Sequence, residues 1–260
     1  MSDFFQLILN ENMKIYRRPR TWIMLGFMIA LSLGIFIITF AIQSDGVKLT
    51  MWLPFEIATK TAIVFATIFA VVVSAESVAG EFSTGTIKLL LIRPWSRSKI
   101  LLSKYISLLL FALFLLVVMF GLNYLVSLLM FGQEPGLTVG RGYSPIVYWT
   151  LYQFYEYIAM IVILTLSFLI STVFRSGGLS IGLSIFLLFS GSLISQILGA
   201  LDYAWVKYLL FLHLGISDFL TSPVHSHGIT LPFSLAVLGA YYVVFITITW
   251  VLFNRRDVAA

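Results

Sequence analysis

The charged residues that could support chemistry are concentrated in one stretch, Ala75 to Lys104, which reads AESVAGEFSTGTIKLLLIRPWSRSKILLSK. Gly80 and Gly85 have the spacing of the glycines in a phosphate-binding loop. Such a loop then needs Lys followed by Ser or Thr, whereas this chain has Thr86 and Ile87 there. The sequence therefore predicts no nucleotide site in this chain, and any ATP would be bound by another subunit.

A second candidate is Glu156, an acid placed well inside an apolar segment, in the sequence YQFYEYIAM. Acids in such segments are candidates for a transport pathway. An alternative is a position near the lipid headgroups, since Trp149, Tyr152, Tyr155 and Tyr157 resemble an interfacial aromatic belt.

Four residues near the C-terminal third, His213, Asp218, His225 and His227, invite comparison with a metal site. A His-Ser-His sequence in a loop is weak evidence for one, because metal motifs need ligands at defined spacings. We expect surface or interfacial histidines and no metal site.

The elements that position these residues follow from composition. The chain has 260 residues, of which 60% are hydrophobic and 10% charged, with a mean hydropathy of +1.02. This is too little polar surface for a soluble globule and indicates an integral membrane protein. A net charge of +5 then points to basic cytoplasmic loops rather than to nucleic acid. With no cysteine, a disulfide framework and a thiol nucleophile are excluded.

The fold class predicted is an all-α membrane protein with a single transmembrane domain over residues 1–260. Six apolar segments are long enough to span a membrane, at about 21–43, 57–79, 105–131, 147–174, 178–199 and 231–253. Phe5, Leu9, Met13 and Tyr16 follow helical spacing and predict an N-terminal amphipathic helix at the interface. Between the fifth and sixth spans, ALDYAWVKYLLFLHLGISDFL predicts external helices that dip partly into the membrane.

Charge distribution predicts the orientation of these spans. Twelve of the 16 Lys and Arg residues fall in the N-terminal leader, the loop after span two, the connector at Arg175 and the C-terminus. Only Lys48, Lys60, Arg141 and Lys207 remain for the other side. The positive-inside rule therefore places both termini in the cytoplasm.

After the second span, the residues from Glu81 to Ile92 predict a short cytoplasmic helix. Arg93 should end this helix, because the residue before Pro94 avoids helical backbone angles. Ser96 is placed to cap the helix that enters the third span. A solvated loop whose basic residues merely obey the positive-inside rule is the alternative.

The segment GEFSTGTIKLLLIRPWSRSKILLSKY resembles the signature of type-2 ATP-binding cassette (ABC-2) permeases, and six spans with cytoplasmic ends fit that family. The resemblance implies the permease subunit of an ATP-driven exporter, without catalytic residues of its own. ATP and Mg²⁺ would be bound by two cytoplasmic ATPase subunits, and a second copy or a related permease would complete the pore. The residues implied at the ATPase interface are Glu81, Phe82, Gly85, Thr86, Lys88, Leu89, Arg93, Pro94 and Arg97.

The fifth span has an unusually small face, with Gly178 and Gly182 in GxxxG spacing followed by Gly191 and Ser195. Such faces let membrane helices pack closely. Two functions are open for this face: it lines the transport pathway, or it packs against another helix within or between subunits.

Two other function classes compete with an ATP-driven exporter. A membrane-embedded enzyme would use Glu156 or the external histidines, but the sequence offers no convergent acid, base and nucleophile. An ATP-independent transporter would show repeated halves or several intramembrane charges, and neither is visible. The substrate is not predicted, membrane lipid is an expected partner, and the expected location is a bacterial cell membrane.

Overall fold

A computed structural model describes residues 2–44, 49–86, 95–133, 137–201, 203–224 and 228–255, and these residues are predominantly helical. The only β-structure among them is two isolated bridges, Val139 with Tyr143 and Val224 with Thr230. Eight α-helices are described: α1 (Ser2–Tyr16), α2 (Pro19–Ser44), α3 (Trp52–Glu76), α4 (Ala79–Ser83), α5 (Arg97–Phe131), α6 (Pro145–Val173), α7 (Gly177–Gly199) and α8 (Leu231–Arg255).

Six of these helices, α2, α3, α5, α6, α7 and α8, are long and apolar enough to cross a membrane. The prediction of an all-α, multi-pass membrane protein is confirmed. Glu11 of α1 and Asn254 of α8 contact Lys104 and Arg97, which lie in the first turns of α5. We call this side of the bundle the terminal side and the other the opposite side.

The helices extend beyond the predicted spans. Helix α3 begins at Trp52, five residues before the span predicted from residue 57, with Pro54 in its first turn, where a proline is tolerated. Helix α5 begins at Arg97, and its charged first turns precede the apolar span predicted from residue 105. As predicted, Ser96 caps α5: its hydroxyl accepts a hydrogen bond from the Lys99 amide at 3.4 Å.

Helix α3 lies at the centre of the bundle, in contact with α2, α5, α6 and α7. Its alanines at positions 58, 62, 66 and 70 recur every four residues and are all buried, so neighbouring helices approach closely. Polar contacts join α3 to α6. The Ser74 hydroxyl donates to the Leu164 carbonyl at 3.0 Å, and the Ser167 hydroxyl donates to the Val71 carbonyl at 2.9 Å.

Helix α1 uses two faces. Phe5, Leu9 and Met13, the stripe identified in the sequence, are exposed, while Leu7 and Ile8 on another face are buried. The Ile8 carbonyl accepts a hydrogen bond from Ser107 of α5 at 3.2 Å. The N-terminal helix therefore packs against α5 and presents its remaining apolar stripe outward.

Between α7 and α8 the chain forms three short 3₁₀ helices, Val206–Tyr208, Leu210–His213 and Ile216–Leu220, rather than longer α-helices. Leu210, Ile216 and Phe219 pack with Ala159 and Val162, which lie midway along α6. The segment therefore folds back against the bundle, and its depth in a membrane stays a prediction.

Replacing Gly191 with Ala should destabilise the protein, because a Cβ there would lie 2.2 Å from the Phe211 ring and force that ring to move. We expect a loss of about 1–3 kcal/mol of unfolding free energy, measured by denaturant titration in detergent micelles. Gly182→Ala is the matched control, since nothing lies within 4 Å of its added Cβ. Equal effects of the two substitutions would contradict this packing.

Candidate functional site

Four charged side chains from three helices form a closed ring of ion pairs on the terminal side. Lys14 Nζ lies 2.6 Å from Glu11 and 3.1 Å from Glu81, while Lys104 Nζ lies 2.9 Å from Glu11 and 2.6 Å from Glu81. Glu11 and Lys14 belong to α1, Glu81 to α4 and Lys104 to α5. The ring therefore fixes the interfacial helix, the short helix after α3 and the start of α5 to one another.

The ring is formally neutral, which lowers the cost of burying its members. Only 2% of the Lys104 side chain and 8% of the Glu11 side chain are exposed. Burial disfavours charged Glu11, but Lys104 and Lys14 outweigh it and hold the pKa of this carboxyl below its usual value of 4.5. Burial also opposes charged Lys14, but Glu81 and Glu11 raise its pKa above 10.5.

A second ion cluster surrounds Glu76 at the end of α3. Its carboxylate pairs with Arg18, at 2.8 Å from Nη1, and with Arg20. On the same side, the Arg97 guanidinium donates to the Asn254 carbonyl at 3.2 Å. These contacts join the start of α2 to the end of α3, and the start of α5 to the end of α8.

Helix α4 is attached to two further spans through its backbone. Ser171 of α6 accepts hydrogen bonds from the Val78 and Ala79 amides, each at 3.0 Å. Gly177 of α7 faces Gly80 so closely that a Cβ on Gly177 would lie 3.8 Å from the Gly80 Cα. The absence of side chains on these glycines permits this approach.

The chain leaves α4 through an exposed turn. Gly85 adopts a φ of 71°, a left-handed conformation that favours glycine, and Ser83, Thr84 and Thr86 are exposed. The hydroxyls of Thr84 and Thr86 lie 2.9 Å apart. We call residues 83–86 the exposed turn.

A cavity of about 750 Å³ lies beside this turn, between α1, α4 and the start of α7. Its charged lining residues are Lys14, Arg18, Glu76 and Glu81, and its backbone floor includes Gly80 and Gly177. The site is thus an open, polar recess bounded by the two ion clusters.

The structure divides the predicted interface residues into three groups. Glu81 points into the ion ring, and Phe82 is half-buried against the main apolar cluster, with the Arg175 guanidinium 6.0 Å from its ring. Gly85 and Thr86 are exposed, and Arg97 begins α5. Four of the predicted residues, Lys88, Leu89, Arg93 and Pro94, lie outside the described residues. The helix described after α3 spans Ala79–Ser83 and ends in a turn at residues 84–86, and residues 87–92 of the predicted helix lie outside the described residues.

Glu156 contacts the segment between α7 and α8. Its carboxylate accepts a 2.6 Å hydrogen bond from Ser217, in the 3₁₀ helix Ile216–Leu220. Trp149 is only 2% exposed and packs edge-on against Phe55 at 5.6 Å. The proposed aromatic belt therefore does not hold for Trp149, because its ring fills the interior of the bundle. Glu156 joins α6 to the outer segment.

The histidine that the structure describes in the outer segment, His213, is buried and fully hydrogen-bonded. Nδ1 lies 2.9 Å from the Ser234 hydroxyl and Nε2 lies 2.8 Å from the Lys207 carbonyl. Burial lowers the pKa of His213, so the neutral ring donates to the carbonyl and accepts from Ser234. His225 and His227 lie outside the described residues, among which no group of three metal-ligating side chains occurs.

The small residues of α7 have different surroundings. Gly191 lies under Phe211 and Ser195 is buried, so both serve packing inside the chain. Gly178 and Gly182 are exposed, with open space where a Cβ would be.

Sequence reasoning missed the partners that complete the ring: Glu11, Lys14 and Lys104. One local signal was present, since Glu11 and Lys14 are three residues apart and therefore neighbours on a helix. Lys104 was assigned to the basic loop although it is almost fully buried.

Comparison with known proteins identifies relatives. A family model described as "Protein of unknown function (DUF2705)" matches residues 21–259. The uncharacterized protein YhcI of Bacillus subtilis (strain 168) is 34% identical over 207 residues, covering 74% of this chain and 64% of YhcI. The uncharacterized membrane protein YdbK of the same strain is 26% identical over 189 residues, covering 72% of this chain and 76% of YdbK. This chain thus spans less than two thirds of YhcI.

The family match overturns one prediction. Assignment to the type-2 ATP-binding cassette permeases, made on residues 80–105, was wrong, because a different family matches nearly the whole chain. The resemblance was misleading because the pattern of residues on which it rested is not specific to one family. Glycine, leucine and basic residues between two spans are what any bent, basic loop requires.

Removing Lys104 should destabilise the protein strongly, because Glu11 and Glu81 would share Lys14 alone. We expect Lys104→Met to lower the unfolding free energy by about 3–5 kcal/mol, measured by denaturant titration in detergent. Lys60→Met is the control: Lys60 pairs with Glu56 at 2.6 Å but is 48% exposed, so its loss should cost about 1 kcal/mol or less. Similar losses for the two variants would argue against a structural ring.

The lowered pKa of Glu11 predicts an acid dependence. Its stabilisation is present above pH 4.5 and is lost as the pH falls through the lower pKa of the folded state. The thermal unfolding midpoint should therefore fall with acidification below about pH 4.5, and less steeply in Glu11→Gln. Identical pH profiles for wild type and variant would contradict this assignment.

Proposed function

We propose that this chain, which belongs to the family described as protein of unknown function DUF2705, is the membrane subunit of a transport system powered by a separate cytoplasmic ATPase. Of the Lys and Arg residues that the structure describes, nine lie toward the terminal side and three, Lys60, Arg141 and Lys207, toward the opposite side, which favours a cytoplasmic position for the terminal side.

One observation carries the proposal: the exposed turn follows a helix that is fastened to three spans. Lys104 holds α4 to α5 through Glu81 at 2.6 Å, Ser171 holds it to α6, and Gly80 packs on Gly177 of α7. A displacement of this turn by a partner would reach all three helices. A solvated loop without such contacts would move alone and leave the spans in place.

In this proposal the ATPase and this chain have different roles. The ATPase binds ATP and Mg²⁺, and its nucleotide cycle favours one of two arrangements of the spans. This chain contributes the exposed turn as the contact surface and the spans as the pathway. Two ATPase subunits and a second membrane subunit, either an identical copy or a related chain, would complete the assembly.

A bulky residue on the exposed turn should weaken the contact with the ATPase. Thr86→Trp should reduce the ATP hydrolysis that copurifies with the tagged chain in mild detergent by about fivefold or more, as expected for an interface position that costs over 1 kcal/mol. Photolabelling with azido-ATP should mark a copurifying chain and not this one of 29.3 kDa.

The control is Ser222→Trp, which places the same side chain at an exposed position on the opposite side. It should retain full copurified ATP hydrolysis. The proposal would be abandoned if no ATP hydrolysis accompanies the wild-type chain, or if Thr86→Trp and Ser222→Trp behave alike. Unchanged membrane insertion of both variants separates an effect on the partner from misfolding.

A further inference from the structure

The two ion clusters that border the cavity beside α4 together carry one more basic than acidic side chain. The ion ring is neutral, because its two acids match its two bases, but Glu76 is shared by two arginines, Arg18 and Arg20. One positive charge is therefore left over. Arg18 lines the cavity, and 47% of its side chain is exposed, so this charge is presented to whatever occupies the cavity.

Uncharged hydrogen-bonding groups surround the same space. The lining includes the hydroxyls of Ser83, Thr84, Thr86 and Ser176 and the amide of Asn10. The first three hydroxyls donate to backbone carbonyls of α4, so the Ser176 hydroxyl and the Asn10 amide are the donors that face the cavity. Hydroxyl and amide donors beside an arginine are the usual partners of phosphate oxygens. Glu76 and Glu81 also line the cavity, but Glu76 keeps Arg20 as a partner when Arg18 turns to a ligand, and Glu81 is paired with Lys14 and Lys104.

The cavity continues into an apolar surface on α7. Gly178 and Ile181 form its edge, and Gly182 lies one turn further, with open space at both glycines. Leu179 and Phe186 on the same helix are exposed. On the other side, α1 presents Phe5, Leu9 and Met13 outward. A charged recess next to an open apolar groove matches a molecule with an anionic head and apolar chains.

We propose that this cavity binds the phosphate headgroup of an anionic phospholipid in the leaflet at the terminal side. Arg18 pairs with the phosphate, the Ser176 hydroxyl and the Asn10 amide donate to its remaining oxygens, and an acyl chain lies along α7 over Gly178 and Gly182. The cavity volume of about 750 Å³ accommodates a headgroup. This site does not depend on the proposed ATPase partner.

The test measures lipid binding to the purified chain by native mass spectrometry. Phosphatidylglycerol and phosphatidylcholine with identical acyl chains are added to the detergent-solubilised protein, and their dissociation constants are compared. Wild type should bind phosphatidylglycerol at least fivefold more tightly. Arg18→Gln should reduce that preference about fivefold, the effect of one basic residue near an anionic lipid, and Arg18→Lys should restore it.

Two variants test the location. Arg141→Gln removes an exposed basic residue from the opposite side and should leave the preference unchanged. Gly178→Leu fills the groove without a clash at Cβ and should weaken binding of both lipids. Folding of Arg18→Gln is checked by size exclusion, and Glu76 retains Arg20 as its partner in that variant.

Three results would overturn the proposal. Equal affinity of wild type for the two lipids would exclude headgroup recognition. A loss in Arg141→Gln as large as that in Arg18→Gln would show a general charge effect. Displacement of phosphatidylglycerol by inorganic phosphate at equal concentration would identify a site for free phosphate instead of a lipid.

Discussion

Charge neutralisation at the membrane boundary is the constraint on which the terminal side of this protein depends. A buried ammonium or carboxylate without a partner costs several kcal/mol, and Lys104 is buried at the start of a long apolar helix. Its two acids come from α1 and α4, which are not spanning helices. Helices α1 and α4 are therefore integral parts of the bundle, because they supply the two carboxylates that neutralise Lys104 of α5.

The interior of the spans follows the related rule that polar groups must be satisfied within the protein. Ser74 and Ser167 each donate across to a carbonyl of the neighbouring helix, and Tyr105 and Thr165 pair at 2.7 Å. The two serine contacts and the alanine face of α3 join α3 closely to α6, and the Tyr105–Thr165 pair joins α5 to α6. Ser171 of α6 holds α4, so the exposed turn is supported by this group of packed helices.

Much of the fold was predictable because hydrophobic length and helix caps are local properties. The six spans and the cap at Ser96 follow from short stretches of sequence. The closure of the ion ring was not predictable from one sequence, since two of its four pairs are separated by 67 and 93 residues. Glu81 drew attention only as part of a charged stretch. Trp149 was assigned to an interfacial belt from its residue type alone. Its ring instead packs on Phe55 of the neighbouring helix α3, a contact that the local sequence does not reveal.

Helix α5 has 35 residues and is therefore about 52 Å long, well beyond the roughly 30 Å of a hydrocarbon core. The ion ring holds it at Lys104, and the remaining part, about 40 Å, exceeds the hydrocarbon core, so it tilts or extends into the interface. Arg97 at its start is bonded to the end of α8, so this over-long helix is joined to the last span at the terminal side.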